Sequence, residues 1–203
     1  MSLDLKFKES DPTTLLLIWE KEVWREVKKS VFFTALKRLP SHLTKGDFLS
    51  HFAQVEERLV KSYAYRCLSK RPLLSRQLAT KLKEAGFSEP VVAKTVEQCQ
   101  ARGWIDDAAE IQRQIAKEQR KGRGKTAIFF KLKGKEGMDL ALVQKCLNEM
   151  GGEEEALQIA LKKQIGKGAL AHPYEKQKVI AKLVRRGFSL DAVFKALSEP
   201  VFH

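Results

Sequence analysis

The sequence lacks the long apolar segments that mark membrane proteins and secreted precursors. Its longest uninterrupted apolar run, Leu15 to Trp19, is five residues long, whereas a membrane-spanning helix needs about 20 residues. Residues 1–10 alternate charged with apolar side chains, and they contain neither the apolar core nor the small-residue cleavage site of a secretory signal. We therefore expect a cytoplasmic protein without a membrane partner.

Cysteine and histidine are also scarce, which limits metal and disulfide chemistry. Cys67, Cys99 and Cys146 are too far apart in sequence for a CxxC pair or a disulfide framework, and each lies in an apolar helical pattern typical of a reduced core cysteine. The four histidines form neither an HxxxH nor an HExxH motif. We expect no metal site, no cofactor and no disulfide.

Basic residues are abundant and unevenly placed. The chain of 203 residues has 38 Lys and Arg against 25 Asp and Glu, a formal net charge of +13, yet the first 58 residues contribute only +1. The excess is densest from Gln119 to Lys135, where seven cations occur without an acid. Because such cations repel one another, the segment predicts an anionic partner, either nucleic-acid phosphates or an acidic protein surface. A solvated loop and helix face is the alternative.

Part of this basic segment has a partial likeness to a phosphate-binding loop. Residues 122–126 read Gly-Arg-Gly-Lys-Thr, but the full motif needs a glycine five positions before Gly124, where the chain has Gln119. The motif should also follow a buried strand, whereas residues 111–120 have the pattern of a charged amphipathic helix. We interpret the segment as a basic connector rather than an ATP site.

The first thirty residues contain the strand signals of the chain. Residues 3–8 alternate strictly, Asp11-Pro12 predicts a turn, residues 13–19 are apolar and partly β-branched, and the pattern resumes at 23–27. We predict a small N-terminal β-hairpin or three-stranded antiparallel sheet. One amphipathic helix over residues 14–33 is the alternative, because Glu, Lys and Leu all favour helix.

From about residue 32 onward the apolar pattern is helical, and short helices repeat with a period of 51 and then 50 residues. Each unit has a leucine, a glycine four or five positions later, an aromatic or Met, and then Ser or Asp. This order predicts a helix that ends at a glycine C-cap and a following helix with a Ser or Asp N-cap. The repeated residues are Leu82, Gly86, Phe87 and Ser88, then Leu132, Gly137, Met138 and Asp139, then Leu183, Gly187, Phe188 and Ser189.

Two further helix starts are predicted after Gly103 and after Gly151-Gly152, where runs of acids follow the glycines. Acids at a helix N-terminus complement its partial positive charge, so we interpret Asp106 and Asp107 as helix-start residues rather than a catalytic or metal-binding pair. Repeats of this length, with three helices each, predict a mainly α-helical, elongated and curved array. The predicted division is an N-terminal extension (1–53), two three-helix repeats (54–118 and 119–167) and a truncated third repeat (168–203).

These motifs resemble the RecX family over about residues 56–197. The last repeat closely resembles the family's usual sequence motif at residues 183–189 and at Val193 and Leu197. Residues 103–107 resemble the end of the family's first repeat. Two departures are the pair Glu110-Ile111, where the family has an aromatic and an alanine, and one residue inserted before Gly137.

The resemblance implies a non-enzymatic, monomeric modulator of the RecA recombinase in DNA repair and the SOS response. A family member is expected to bind the RecA filament on single-stranded DNA, with at most weak binding to duplex DNA, and to inhibit ATP hydrolysis, strand exchange and coprotease activity. Cations on the repeats that could meet DNA phosphates or acidic RecA surface are Arg71, Arg76, Arg102, Arg120, Lys121, Arg123, Lys125, Arg185 and Arg186.

Two other classes of function compete with this interpretation. A stand-alone helix-turn-helix DNA-binding protein acting as a transcription regulator would also have short helices joined at glycine turns. Against it, no helix concentrates Arg, Asn and Gln for base reading. A nuclease would need clustered carboxylates, but the acids at 106–107 and 153–155 are accounted for as helix starts.

Overall fold

The structure, a computed structural model, describes residues 3–19, 21–39, 44–164 and 173–198. The chain divides into two compact units, Met1–Asp106 and Asp107–His203, called here the first and second unit. The described residues are mainly helical, and the described strands all lie at the start of the first unit. No described helix is both long enough and apolar enough to cross a membrane.

The first unit opens with a three-stranded antiparallel sheet of β1 (Leu3–Lys8), β2 (Asp11–Trp19) and β3 (Glu22–Lys28), in the order β1-β2-β3. The predicted sheet is confirmed, and the alternative of one helix over residues 14–33 is wrong. Alternate residues of the central strand face the core, as period-two patterning requires; they are Leu15, Leu17 and Trp19.

The first unit also has four described helices: α1 (Lys29–Leu36), α2 (Lys45–Leu68), α3 (Ser75–Glu84) and α4 (Glu89–Ala101). Helix α2 has Thr44 as its N-cap, because the Thr44 hydroxyl accepts a hydrogen bond from the Asp47 amide at 3.2 Å. It packs against α1, α3 and α4, and its Phe48 and Phe52 side chains join the sheet core. The predicted boundary between residues 53 and 54 lies inside this continuous helix.

A buried carboxylate ties three elements of the first unit together. Glu56 on α2 accepts hydrogen bonds from the Arg25 guanidinium of β3 at 2.9 Å and from the Ser88 amide at 2.6 Å. Ser88 directly precedes α4, so Glu56 places a negative charge at the N-terminus of that helix. The Ser88 side chain itself makes no capping hydrogen bond, contrary to the predicted serine cap.

The second unit has six described helices: α5 (Asp107–Gln119), α6 (Lys125–Lys133), α7 (Leu140–Glu149), α8 (Glu153–Gln164), α9 (Pro173–Arg185) and α10 (Leu190–Ser198). Helix α5 packs against α6, α7 and α8. Helix α8 shares one apolar core with α9 and α10, whereas the predicted division placed it in the second repeat. The predicted boundary between residues 167 and 168 lies outside the described residues.

The three repeated glycines have the left-handed backbone that a glycine C-cap requires, with φ of 95° at Gly86, 77° at Gly137 and 87° at Gly187. After α3 and α9 the turn closes in the same way: the amide of the following phenylalanine donates to the carbonyl of the repeated leucine, at 3.2 Å for Phe87 and 3.3 Å for Phe188. The repeat therefore encodes a Schellman turn, in which the leucine and the phenylalanine are both buried.

The middle copy of the repeat closes differently because of its inserted residue. Helix α6 ends at Lys133, four residues before Gly137, and the Lys135 amide donates to the Leu132 carbonyl at 2.9 Å. The next helix nevertheless starts as predicted, because the Asp139 carboxylate accepts hydrogen bonds from the amides of Ala141 and Leu142.

Candidate nucleic-acid interface

The basic connector, residues 120–124, joins α5 to α6, and hydrogen bonds hold it against the end of α9. The Arg186 guanidinium donates to the carbonyls of Lys121 at 3.3 Å and Gly122 at 3.1 Å. In return, the amide of Gly124 donates to the Arg186 carbonyl at 2.8 Å, and the amide of Thr126 donates to the Gly187 carbonyl at 3.3 Å. The connector is therefore a fixed part of the second unit, although it is separated from α9 by about sixty positions in sequence.

These contacts argue against a phosphate-binding loop in this segment. Such a loop needs backbone amides that point at the phosphates, but the amides of Gly124 and Thr126 are occupied by carbonyls of the α9 turn. Close backbone contact also explains the glycine at position 124, since a Cβ there would lie 2.3 Å from the Gly187 carbonyl oxygen.

A single buried carboxylate organises the cations of the connector. The side chain of Glu118, only 6% exposed, accepts hydrogen bonds from Lys121 at 2.8 Å and Lys131 at 2.7 Å, and lies 3.3 Å from the Arg123 guanidinium. We call these four residues the Glu118 cluster. The interpretation of seven unopposed cations is thus wrong for these three, whose opposing acid lies one position before the segment, and for a fourth, Lys125, which pairs with Glu153.

The cations of the Glu118 cluster lower the pKa of the Glu118 carboxyl. Burial raises the pKa of Glu118, but the hydrogen bonds and positive charges of Lys121 and Lys131 lower it further than burial raises it, and the pKa falls to about 2. Glu118 is therefore ionised throughout the physiological range. With three cations sharing one carboxylate, the cluster carries a net charge of +2.

Other cations of the segment add to this positive surface. Lys125 lies 3.3 Å from Glu153 at the start of α8, and such partly exposed ion pairs are weak, so a phosphate can compete for the lysine. Arg120 and Lys133 are exposed, and neither has an ion-pair partner among the described residues. The structure thus collects Arg120, Lys121, Arg123 and Lys125 on the same connector and helix start.

The remaining predicted site residues lie outside the connector segment itself, although Arg186 contacts it. Arg71 and Arg76 are exposed in the first unit, and Arg76 lines a groove of about 410 Å³ between α3 and α4. Arg102, also in the first unit, lies over the ring of Trp104 at 5.1 Å. Arg185 is exposed at the end of α9, where its Nε donates to the Ala181 carbonyl at 3.4 Å. Arg186 has the structural contacts with the connector described above.

Glu118 and Lys131 are site residues that were absent from the predicted set. Lys131 lies 13 positions from Glu118, and the two meet because α6 packs against α5. Glu118 could have been identified from the sequence, because several cations follow this acid within a few positions. Within the described ranges, no three His, Cys, Asp or Glu side chains are grouped so that they could hold a metal ion.

We expect Glu118→Gln to destabilise the protein in a pH-dependent way. Since the Glu118 pKa is lower in the folded chain than its ordinary value of 4.5, the stabilisation is complete above that value and is lost as the pH falls towards 2. The variant should lower the free energy of unfolding by about 2 kcal/mol near neutral pH and by much less near pH 2. Urea unfolding of both proteins at the two pH values measures this, and a pH-independent difference would contradict the cluster.

The fold and the site together define a class: a protein of tandem three-helix domains with a basic connector. Family models for the first and third three-helix domains of RecX match residues 61–99 and 152–197. The latter range contains all of α8 and α9 and most of α10. The regulatory protein RecX of Legionella pneumophila (strain Corby) is 30% identical over 138 residues, which cover 67% of this chain and 91% of that protein. The chain belongs to the RecX family.

A further relative is similar in sequence, and two solved structures are similar in fold. The regulatory protein RecX of Acinetobacter baylyi is 28% identical over 145 residues, 71% of this chain and 90% of that protein. A crystal structure of regulatory protein RecX is similar in fold, with a TM-score of 0.58 and 18% identity over 97% of this chain and 98% of that one. RecX from Lactobacillus salivarius has a TM-score of 0.59 and 17% identity over 70% of this chain and 96% of that one.

Proposed function

We propose that this protein regulates the RecA recombinase by binding the RecA filament on single-stranded DNA in the cytoplasm. Bound there, it lowers ATP hydrolysis, strand exchange and coprotease activity. It acts by binding and not by catalysis. The observation that carries the proposal is the positively charged connector, held rigid by Glu118 and Arg186, in a chain of the RecX family.

The charge arrangement suits a filament on DNA better than a small anion. Cations occur in both units, including Arg71 and Arg76 in the first unit and the Glu118 cluster in the second unit. Because the two units are parts of one chain, binding by one raises the effective concentration of the other at the same polymer. Several weak phosphate contacts then combine to give a higher overall affinity, and that affinity falls as the salt concentration rises.

A gel-shift comparison separates this proposal from a stand-alone transcription regulator. We expect the protein to bind RecA-coated single-stranded DNA more tightly than the same DNA without RecA, and to bind duplex DNA weakly and without sequence preference. Tight duplex binding that depends on sequence and not on RecA would overturn the proposal. RecA assembled with a non-hydrolysable ATP analogue keeps the filament intact during the measurement.

A further inference from the structure

Helix α6 exposes an aromatic side chain that its own fold does not need. Phe130 is 64% exposed, and the half-buried Phe129 lies beside it with the ring centroids 5.9 Å apart in an edge-to-face arrangement. The core contacts of α6 are made by Ile128 and Leu132, both fully buried. The Phe130 ring adds little to the core, and most of its surface is open to a partner.

The exposed face of α6 is also basic. Thr126, Phe130 and Lys133 follow the i, i+4, i+7 spacing of one helix face, and all three are exposed. Lys131, which follows Phe130, belongs to the Glu118 cluster and is itself one-third exposed. From Gln119 to Lys135 no acid interrupts the cations that flank the ring. The surroundings of Phe130 are therefore suited to a partner that is both flat and negatively charged.

We propose that the outer face of α6 binds single-stranded nucleic acid by base stacking. An unpaired base stacks on the Phe130 ring, and neighbouring phosphates lie against Lys133 and the Glu118 cluster. Charge complementarity selects this occupant over an apolar protein surface, since an apolar protein partner would leave the adjacent lysines desolvated and unpaired. The inference rests on the proposed function in one respect: it identifies where the DNA of the filament is contacted.

Stacking has a consequence that phosphate contacts alone do not have. In a duplex the bases are already stacked and paired, so an aromatic side chain on a helix surface reaches them only after local melting. Phosphates, in contrast, are present in both forms. The Phe130 contact therefore makes the second unit prefer single strands, whereas the basic connector alone would bind both forms.

Substitutions at Phe130 test the proposal in the full-length protein with oligothymidylate and an abasic oligonucleotide of the same length. Phe130→Ala should weaken oligothymidylate binding about 5- to 100-fold and change abasic binding little. Phe130→Leu, which keeps an apolar side chain, should lose as much as alanine. Phe130→Trp should restore binding, and its indole fluorescence should be quenched by oligothymidylate beyond any change seen in the wild-type protein. Tyr65→Ala, which removes an equally exposed aromatic in the first unit, is the matched control.

Three outcomes would overturn the stacking contact. The first is equal loss of oligothymidylate and abasic binding in Phe130→Ala. The second is full binding by Phe130→Leu. The third is weaker binding of Phe130→Ala to the RecA filament with unchanged binding to free single strands, which would make the α6 face a RecA contact. Circular dichroism checks that each variant is folded. Failure of the proposed function would be visible separately, as wild-type protein that binds single strands but leaves RecA activity unchanged.

Discussion

Gly187→Ala is expected to destabilise the second unit by at least about 3 kcal/mol. Gly187 has φ of 87°, which costs an L-residue roughly 1 kcal/mol or more. Its added Cβ would also lie 2.2 Å from the backbone nitrogen of Ala127 in α6. Because that neighbour is backbone, the overlap is relieved only by separating the α9 turn from α6, and this breaks the hydrogen bonds that hold the connector.

Gly103→Ala is the matched control for this prediction. Gly103 also has a positive φ, 67°, but no atom lies within 4 Å of a Cβ added there. Its substitution should cost only about 1 kcal/mol, the backbone penalty alone. Urea unfolding followed by circular dichroism gives the two values. Hydrogen exchange should show lost protection at the amides of Gly124 and Thr126 in Gly187→Ala alone. Equal effects of the two substitutions would show that the turn does not hold the connector.

Neutralising the connector should produce the largest change in binding. In the variant with Gln at Arg120, Lys121, Arg123 and Lys125, four cations are removed while the Lys131–Glu118 pair at 2.7 Å remains. If each cation neutralises one phosphate, the slope of log affinity for single-stranded DNA against log salt concentration falls by about 3, since each phosphate contributes about 0.7. Near 0.1 M salt this corresponds to affinity about 10²- to 10³-fold lower.

A second fourfold variant controls for net charge. Gln at Lys6, Arg38, Lys45 and Lys61 removes the same number of charges from exposed positions of the first unit. Its affinity should change by less than about tenfold, because none of these four cations is among the proposed phosphate contacts and exposed charges without a direct contact are largely screened at this salt concentration. Equal losses in the two variants would mean that only net charge matters, and the connector would then be an ordinary solvated surface.

The local features of the fold were predictable because they depend on residues close in sequence. Alternation in residues 3–8 led to β1, the apolar and partly β-branched run 13–19 led to β2, and the order Leu-Gly-Phe-Ser led to the turns at Gly86 and Gly187. Each of these signals is satisfied within one hairpin or one helix end. The serine cap at position 88 failed because a tertiary partner, Glu56, occupies the helix start instead.

The site was less predictable because its decisive contacts join distant positions. The sequence locates a basic segment, but the burial of Glu118 depends on how α6 packs on α5. The role of Arg186 depends on a turn 64 positions after Gly122. A pattern that counts cations in a window therefore overestimated their freedom, and it could not detect the contacts of Arg186 with the connector. Phe130 was overlooked because, in an apolar helical run, a phenylalanine is ordinarily expected to be buried.

The most direct test of the account follows ATP hydrolysis by the cognate RecA on single-stranded DNA while the purified protein is titrated in. We predict that hydrolysis falls at ratios well below one molecule per RecA, that the fourfold connector variant needs far more protein for the same effect, and that the first-unit control behaves like the wild type. Unchanged hydrolysis at a ratio of one molecule to several RecA, with the filament intact and the protein folded, would contradict the central claim.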